Sequence, residues 1–259
     1  TLHNQPRAAL PLPTGVRKGQ TADIRLWIQG LDSLGNFRVD VSCGQDFDYR
    51  FNVPSALVDV TIDEASEELD YHKFFASFDL DRDYWTVVGS ATEAEFHQMA
   101  DAKPRHLVDL GMTPDARVLD VGCGTGQLAD ALVEYLSDAG EYWGAELARP
   151  GVEYCKRKFT RQNFHFFQNK MTSIPLTAQA FDVITYFSVF THTYPTETRL
   201  LLLESKRLLA PNGCVCADFF TSDVVEDYAG NRVPIEHNHA KLLTVIGETG
   251  LHAEEVSAS

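Results

Sequence analysis

The sequence predicts an α/β protein with a doubly wound, mostly parallel sheet, preceded by a small N-terminal antiparallel β unit and a helical linker. After Gly111, apolar strand segments alternate with helical segments at the spacing of a parallel sheet. Between about residues 22 and 63, apolar and polar residues alternate with a period of two. Glycines at positions 122, 124 and 126 directly follow the first strand segment of the predicted sheet.

Composition and charge exclude several classes of protein. The chain has 259 residues, of which 44% are hydrophobic and 23% charged, as is ordinary for a soluble globular protein. No apolar stretch is long enough for a membrane helix, so we expect no membrane association and a cytoplasmic location. A net charge of −15 repels a nucleic-acid backbone. Five scattered cysteines indicate neither a disulfide framework nor a zinc site, and no metal is expected.

Three segments are predicted along the chain. Residues 1–63 form the β-rich unit, with strands expected at 24–28, 37–41, 47–53 and 58–62. Residues 64–104 form a helical linker or lid, which begins with acidic side chains that favour the start of a helix. Residues 105–259 form the main α/β domain.

Within the main domain, strands and helices are expected in strict alternation. The strands are predicted at 117–121, 142–146, 164–167, 181–187 and 214–220, and the helices at 126–136, 151–159 and 195–209. A sixth strand is expected at 252–256.

The most informative segment is the glycine-rich loop at residues 118–128, with the sequence VLDVGCGTGQL. Glycines are needed where the backbone turns sharply and approaches a ligand closely. Glu146 follows Gly126 by twenty residues and ends the next strand. A carboxylate at that place can accept two hydrogen bonds from ribose hydroxyls. The pattern therefore predicts a nucleoside-containing ligand.

Two kinds of cofactor fit such a loop, and the spacing distinguishes them. The fingerprint of nicotinamide enzymes spaces its glycines G-x-G-x-x-G and places a pyrophosphate at a helix N-terminus. Here the spacing is G-x-G-x-G, and Asp120 precedes it by two residues. A carboxylate there repels a pyrophosphate but attracts a ligand that carries a sulfonium and an ammonium.

Residues 120–126 closely resemble motif I of the class I S-adenosylmethionine-dependent methyltransferases. Glu146 resembles the ribose-binding acid of that family. Residues 181–192 resemble its fourth strand with the following loop, and residues 208–213 resemble the turn before its fifth strand. The resemblance covers about residues 105–256. It implies that S-adenosylmethionine is the cofactor.

The resemblance also implies a set of site residues. The cofactor-binding candidates are Asp120, Gly122, Cys123, Gly124, Gly126, Glu146, Leu147, Asn169, Lys170, Met171 and Phe187. Members of the family often carry an acidic residue that meets the adenine amino group, whereas this chain has Asn169 and Lys170 there. The family's core usually closes with a seventh, antiparallel strand, for which no segment is evident.

The acceptor is expected to be a small or medium-sized metabolite that is methylated on oxygen or nitrogen, with a sugar or a secondary metabolite favoured. Tyr84 and Trp85 are candidate acceptor contacts, although packing in the core is an alternative for both. His192 is the candidate general base or acceptor-orienting group, with Tyr186 and Tyr194 as helpers. A purely structural role for His192 stays open. An NAD(P)-dependent oxidoreductase and a non-catalytic cofactor-binding module are the alternative functions.

Overall fold

A computed structural model describes residues 36–41, 56–61, 65–176, 180–230 and 234–255. In the N-terminal region, β1 (Asn36–Val41) and β2 (Ala56–Thr61) pair in antiparallel fashion, with Val39 opposite Val58. These strands fall where the alternation predicted two of the four strands of the β unit. The predicted strands at 24–28 and 47–53 lie outside the described residues.

Three helices follow, α1 (Ala65–Ala76), α2 (Leu80–Val87) and α3 (Glu93–Asp109). Side chains cap two of them, because the Asp79 carboxylate accepts from the Asp81 backbone N–H and the Thr92 hydroxyl accepts from the Glu95 backbone N–H. The helical character of this part of the chain agrees with the sequence pattern. Its role as a lid stays a prediction.

The main domain alternates strands and helices as predicted. Its elements are β3 (Arg117–Val121), α4 (Gln127–Leu132), β4 (Glu141–Glu146), α5 (Arg149–Lys158), β5 (Phe164–Gln168), β6 (Phe181–Tyr186), α6 (Pro195–Leu208) and β7 (Leu209–Ala217). The strands form one parallel sheet in the order β5-β4-β3-β6-β7. This is the doubly wound architecture, so the predicted fold class is confirmed.

The sheet is buried on both faces, which explains why its strands lack alternation of apolar and polar residues. Val118 points into an apolar cluster that includes residues of α1 to α5. The next residue, Leu119, points into a second cluster that includes residues of α6. Because neighbouring strand residues face opposite sides, β3 joins the two layers of the core.

Strand β7 differs from the prediction because it begins at Leu209, within the segment predicted as a turn. Leu209 pairs with Phe181, and pairing then resumes only at Cys214 opposite Val183. The intervening residues form a bulge in which Asn212 adopts a φ of 67°. The predicted turn at 208–213 is therefore present, but as an interruption inside a longer strand.

The last described part of the chain contains β8 (Phe220–Ser222), β9 (Tyr228–Gly230), β10 (Ile235–Asn238) and α7 (His239–Glu248). The three strands form a small separate sheet in the order β8-β10-β9. The predicted sixth strand at 252–256 is wrong for the part that is described, because residues 251–255 adopt no strand conformation. Among the described helices, none has the length and apolar character needed to cross a membrane.

A lysine surrounded by aromatic rings links the helices to the core. The Nζ of Lys158 lies 4.3 Å from the ring centre of Tyr84 on α2 and 5.4 Å from that of Phe96 on α3. The rings of Tyr154 and Phe159 lie within 5.9 Å and 5.2 Å of the same nitrogen, and Asp130 pairs with it at 3.2 Å. Cation–π attraction is stronger when the cation is shielded from water. Lys158 therefore stabilises the contact of α2 and α3 with α5.

We expect the substitution Lys158→Met to lower the free energy of unfolding by about 1 to 2 kcal/mol, because methionine keeps the apolar contacts but loses the cation. The matched control is Lys156→Met on the same helix. Lys156 is exposed and its ion pair with Glu153 spans 3.7 Å, so its loss should cost less than about 0.5 kcal/mol. Urea denaturation measures both variants, and equal losses would contradict the proposed contribution of the rings.

Candidate active site

The candidate site lies beyond the carboxyl ends of β3 and β6. From β3 the chain proceeds to β4 on one side, whereas β6 lies on the other side of β3. The strand order therefore reverses between β3 and β6. In open α/β sheets a ligand binds in the crevice at this reversal. The glycine loop follows β3 and the loop that carries His192 follows β6, so both predicted loops border the same crevice.

The glycine loop has the backbone conformation that the sequence predicted. Gly122, Gly124 and Gly126 have φ values of 76°, 59° and 84°, in the left-handed region that favours glycine. The backbone N–H groups of Gly122 and Cys123 donate to the Ala145 carbonyl at 2.8 and 3.1 Å. These hydrogen bonds attach the loop to the end of β4. The loop is therefore held in place from the neighbouring strand.

Two valines occupy the space that the first two glycines leave open. A Cβ at Gly122 would lie 2.5 Å from Cγ2 of Val189, and one at Gly124 would lie 2.6 Å from Cγ1 of Val88. Val88 follows α2 and Val189 follows β6. A side chain at Gly122 or Gly124 would therefore clash with the protein itself, whether or not a ligand is bound.

Glu146 lies at the end of β4 with both carboxylate oxygens engaged by the backbone. One oxygen accepts from the Gly124 N–H and the other from the Ala148 N–H, each at 2.9 Å. Burial raises the pKa of this carboxyl above its usual value, although these backbone hydrogen bonds oppose the shift. A carboxylate offers about four acceptor positions, so about two remain for hydroxyl donors.

Asn169 supplies an unused acceptor beside Glu146. Its backbone N–H donates to the Glu146 carbonyl at 3.2 Å, and its side-chain nitrogen donates to the Lys170 carbonyl at 3.0 Å. The side-chain oxygen Oδ1 is buried and has no hydrogen-bond partner. A buried polar atom without a partner costs free energy. A ligand that donates a hydrogen bond to this oxygen would remove that cost. Leu147 and Met171 are half-buried nearby in sequence, whereas Lys170 is exposed.

Asp120 is a buried carboxylate at the end of β3. Its oxygens accept from the Tyr142 hydroxyl at 2.6 Å and from the Thr185 hydroxyl at 2.8 Å. Burial raises the pKa of Asp120, and these two hydrogen bonds together with the charge of Lys103 oppose that shift. The carboxylate is thus fixed in orientation at the base of the crevice.

Three titratable side chains lie around the ends of β6 and β7. Asp218 directly follows β7, and its carboxylate accepts from the Ser188 backbone N–H at 2.7 Å. Burial by neighbouring groups raises the pKa of Asp218, while the Ser188 N–H and the charges of Lys103 and His192 lower it. His192 is half-buried, and its backbone N–H donates to the Val189 carbonyl at 2.9 Å. An acid, a base and a cation therefore share this end of the sheet.

Three of the aromatic candidates occupy other positions. Tyr186 is fully buried on the α6 side, where its hydroxyl donates to the Leu201 carbonyl at 3.1 Å and contacts the Ser205 hydroxyl at 2.7 Å. This placement argues against its predicted catalytic role. Tyr84 is also buried, with its hydroxyl donating to Glu93 at 2.7 Å, which favours the core-packing alternative. Trp85 is half-buried with its ring against that of Tyr84.

The remaining candidates keep positions near the loops. Tyr194 is the N-cap of α6 and is half-buried, with its backbone N–H donating to Glu197 at 2.8 Å. Phe187 is half-buried directly after β6. Cys123 is buried within the glycine loop, and a hydrogen bond with the Cys155 thiol together with burial raises its pKa well above the usual value. That thiol therefore stays protonated and acts as a packing group.

Comparison with known proteins gives a match for the part of the chain that contains the glycine loop. Residues 118–213 match a family model described as a methyltransferase domain. This segment is therefore similar to a methyltransferase domain, and the sheet around it has the fold of the class I methyltransferases. The similarity indicates S-adenosylmethionine as the cofactor, as the sequence predicted.

Two curated relatives match parts of the chain. A fatty-acid O-methyltransferase of Mycolicibacterium smegmatis is 32% identical over 97 residues, which are 38% of this chain and 34% of that protein. An uncharacterized methyltransferase of Schizosaccharomyces pombe is 25% identical over 154 residues, 55% of this chain and 51% of that protein. The chain thus spans between about a third and a half of these relatives.

Solved structures agree with the fold. A SAM-dependent methyltransferase of Leishmania major has a TM-score of 0.55 at 15% identity, covering 72% of this chain and 73% of that one. The cyclase SpnF has a TM-score of 0.50 at 21% identity, covering 62% of this chain and 58% of that one. At these identities the likeness concerns the fold alone, since one fold supports several activities.

Proposed function

We propose that the chain transfers the methyl group of S-adenosylmethionine to an oxygen or a nitrogen of a small or medium-sized molecule. The observation that carries the proposal is the arrangement of Glu146, Asn169 and the glycine loop around one crevice. Glu146 offers acceptors for ribose hydroxyls, and Asn169 offers an acceptor for an amino group. The glycine loop offers a backbone that a nucleoside can approach closely because it carries no side chains.

The residues divide the binding of the cofactor among them. Glu146 accepts hydrogen bonds from the two ribose hydroxyls, and the free Oδ1 of Asn169 accepts from the adenine amino group. Asp120 favours the positively charged amino-acid end through its charge. When bound, the cofactor supplies a methyl group that is already activated by a sulfonium. The protein therefore needs no nucleophile of its own and acts by alignment and exclusion of water.

On the acceptor side, His192 takes the proton that a hydroxyl or an amine must release as it becomes methylated. Asp218 supports this role, because a nearby carboxylate stabilises the positive charge that the imidazole gains. Val88 and Val189 lie beside the glycine loop and contribute apolar methyl groups to the same site. The relative that methylates fatty acids makes an acceptor with a carboxyl group a further member of the proposed class.

The substitution Glu146→Ala is expected to weaken S-adenosylmethionine binding by about 5-fold to 150-fold, since the loss of hydrogen bonds to buried groups costs about 1 to 3 kcal/mol. Titration calorimetry measures the dissociation constant. The matched control is Glu153→Ala on the exposed face of α5, which should leave affinity unchanged.

The same titration separates the proposal from its alternatives. Binding of NAD with loss of S-adenosylmethionine affinity would favour an oxidoreductase. Tight cofactor binding without methyl transfer to any member of a library of alcohols, amines and carboxylic acids would favour a binding module. Unchanged affinity in Glu146→Ala would contradict the assigned cofactor site.

A further inference from the structure

One cation near the crevice belongs to none of the roles assigned so far. Lys103 lies on α3, and its Nζ sits 4.9 Å above the ring centre of Phe187, the residue that directly follows β6. The charges of Asp120 and Asp218 both raise the pKa of Lys103, which agrees with its place over Phe187 near the ends of these strands. Helix α3 thus places a positive charge at the mouth of the methyltransferase crevice.

The hydrogen-bonding partners of Lys103 decide what this ammonium can bind. Among the residues that the structure describes, none forms a hydrogen bond or an ion pair with this ammonium. The two neighbouring carboxylates are engaged elsewhere, Asp120 with Tyr142 and Thr185, and Asp218 with the Ser188 backbone. The lysine is partly buried, and burial lowers its pKa while the two carboxylates raise it. Polar groups in such surroundings are normally paired.

The chemistry of the missing partner follows from these surroundings. An ammonium over an aromatic face retains three donors directed away from the ring. The carboxylates of Asp120 and Asp218 disfavour a doubly charged anion, because like charges repel. A single carboxylate supplies two acceptor oxygens and one negative charge, which suits the site.

We propose that Lys103 binds the carboxylate of a ligand in the crevice. The carboxylate has two possible sources, the amino-acid end of S-adenosylmethionine and the acceptor molecule. If the carboxylate belongs to the acceptor, the inference rests on the proposed methyl transfer. If it belongs to S-adenosylmethionine, the inference requires only that the cofactor binds. A carboxylate acceptor is ionised at neutral pH, so one of its oxygens attacks the methyl carbon while the carbon–sulfur bond breaks. The products are a methyl ester and the neutral thioether, and no proton is released.

The test compares Lys103→Met with Lys103→Arg, which keeps the charge, and with Arg105→Met, which removes an exposed charge from the same helix. The first arm is calorimetry with S-adenosylmethionine and with 5′-methylthioadenosine, which lacks the carboxylate. A loss of affinity of about tenfold or more in Lys103→Met for the first ligand alone assigns the carboxylate to the cofactor.

The second arm measures methyl transfer to octanoate and to 1-octanol. A rise in KM of about tenfold or more for octanoate alone, with unchanged cofactor affinity, assigns the carboxylate to the acceptor. Lys103→Arg should restore most of the lost binding in either arm. The proposal is overturned if Lys103→Met matches the unmodified protein in S-adenosylmethionine affinity and loses no activity on octanoate. If the protein transfers no methyl group but its cofactor affinity falls in Lys103→Met, the proposed methyl transfer is contradicted. The binding of a carboxylate by Lys103 is then still supported.

Discussion

Replacing His192 by alanine is expected to lower the rate of methyl transfer to a hydroxyl or amine acceptor by about 100-fold to 10,000-fold at saturating cofactor. The reason is the proton that such an acceptor must lose as its oxygen or nitrogen bonds to the methyl carbon. The loop that carries His192 borders the crevice, and the charge of His192 acts on the nearby Asp218 carboxylate, whose pKa it lowers.

The measurement is a single-turnover rate with labelled cofactor, which excludes effects on product release. His106→Ala, at an exposed position near the end of α3, is the control for loss of a histidine. Octanoate provides a second control, because a carboxylate acceptor has no proton to lose and its rate should change by less than about threefold. A change below about threefold with alcohols and amines as well would assign His192 to structure.

The substitution Gly126→Ala is expected to lower the free energy of unfolding by about 2 to 5 kcal/mol, through two additive causes. At a φ of 84°, a residue with a Cβ is strained by about 1 to 2 kcal/mol. The added Cβ also overlaps the buried ring of Phe159, and overpacking of this kind costs about 1 to 3 kcal/mol. The glycine loop should shift as well, so cofactor affinity should fall.

Gly89→Ala separates the two causes. Gly89 has nearly the same φ, 86°, but no atom lies within 4 Å of the place of its Cβ. Its variant should therefore show the backbone strain alone. Chemical denaturation of both variants gives the difference that is due to Phe159. If the two variants lose the same free energy of unfolding, the ring of Phe159 moves aside without a free-energy cost. The predicted contribution of overpacking is then wrong.

The strands of the sheet were predicted well where the apolar residues of the sequence are also the residues that are buried in the fold. Strand β3 was predicted with its observed bounds, because an apolar run that ends in a glycine-rich turn leaves few alternatives. Helix α4 was predicted to continue to residue 136 but ends at Leu132. Apolar spacing continues beyond that residue, so periodicity alone does not locate the end of the helix.

Helix α7 was missed although its signals were present. Asn238 caps it by accepting from the Lys241 backbone N–H at 3.0 Å, and Leu242 is buried four residues later. His237 and His239, on either side of Asn238, give this segment the composition of a polar loop. His237 is in fact buried in β10 and donates to the Phe190 carbonyl at 3.1 Å. Among the described residues, no group of side chains has the arrangement of a metal site.

Some residues of the candidate site could be nominated from the sequence and others could not. The cofactor residues follow strands directly, so position along the chain was sufficient to nominate them. Asp218 follows β7 and was accessible to the same rule, but the predicted strand extended past it. Lys103 was beyond the reach of sequence patterns, because its place depends on how α3 packs against α4. Tyr186 differs from its expected position beside the crevice because successive side chains of a strand point to opposite faces, and Tyr186 faces α6.

The hydrogen bonds of Asp120 join three adjacent strands of the sheet, because Tyr142 belongs to β4 and Thr185 to β6. One carboxylate thus serves both the structure of the sheet and the electrostatics of the crevice. Selection for either property acts on the same side chain. Loss of the carboxylate at position 120 would therefore leave the hydroxyls of Tyr142 and Thr185 without their acceptor as well as remove the charge from the crevice. Lys103 lies on α3 and forms no such hydrogen bonds between strands among the described residues, so its replacement leaves the pairing of the sheet intact.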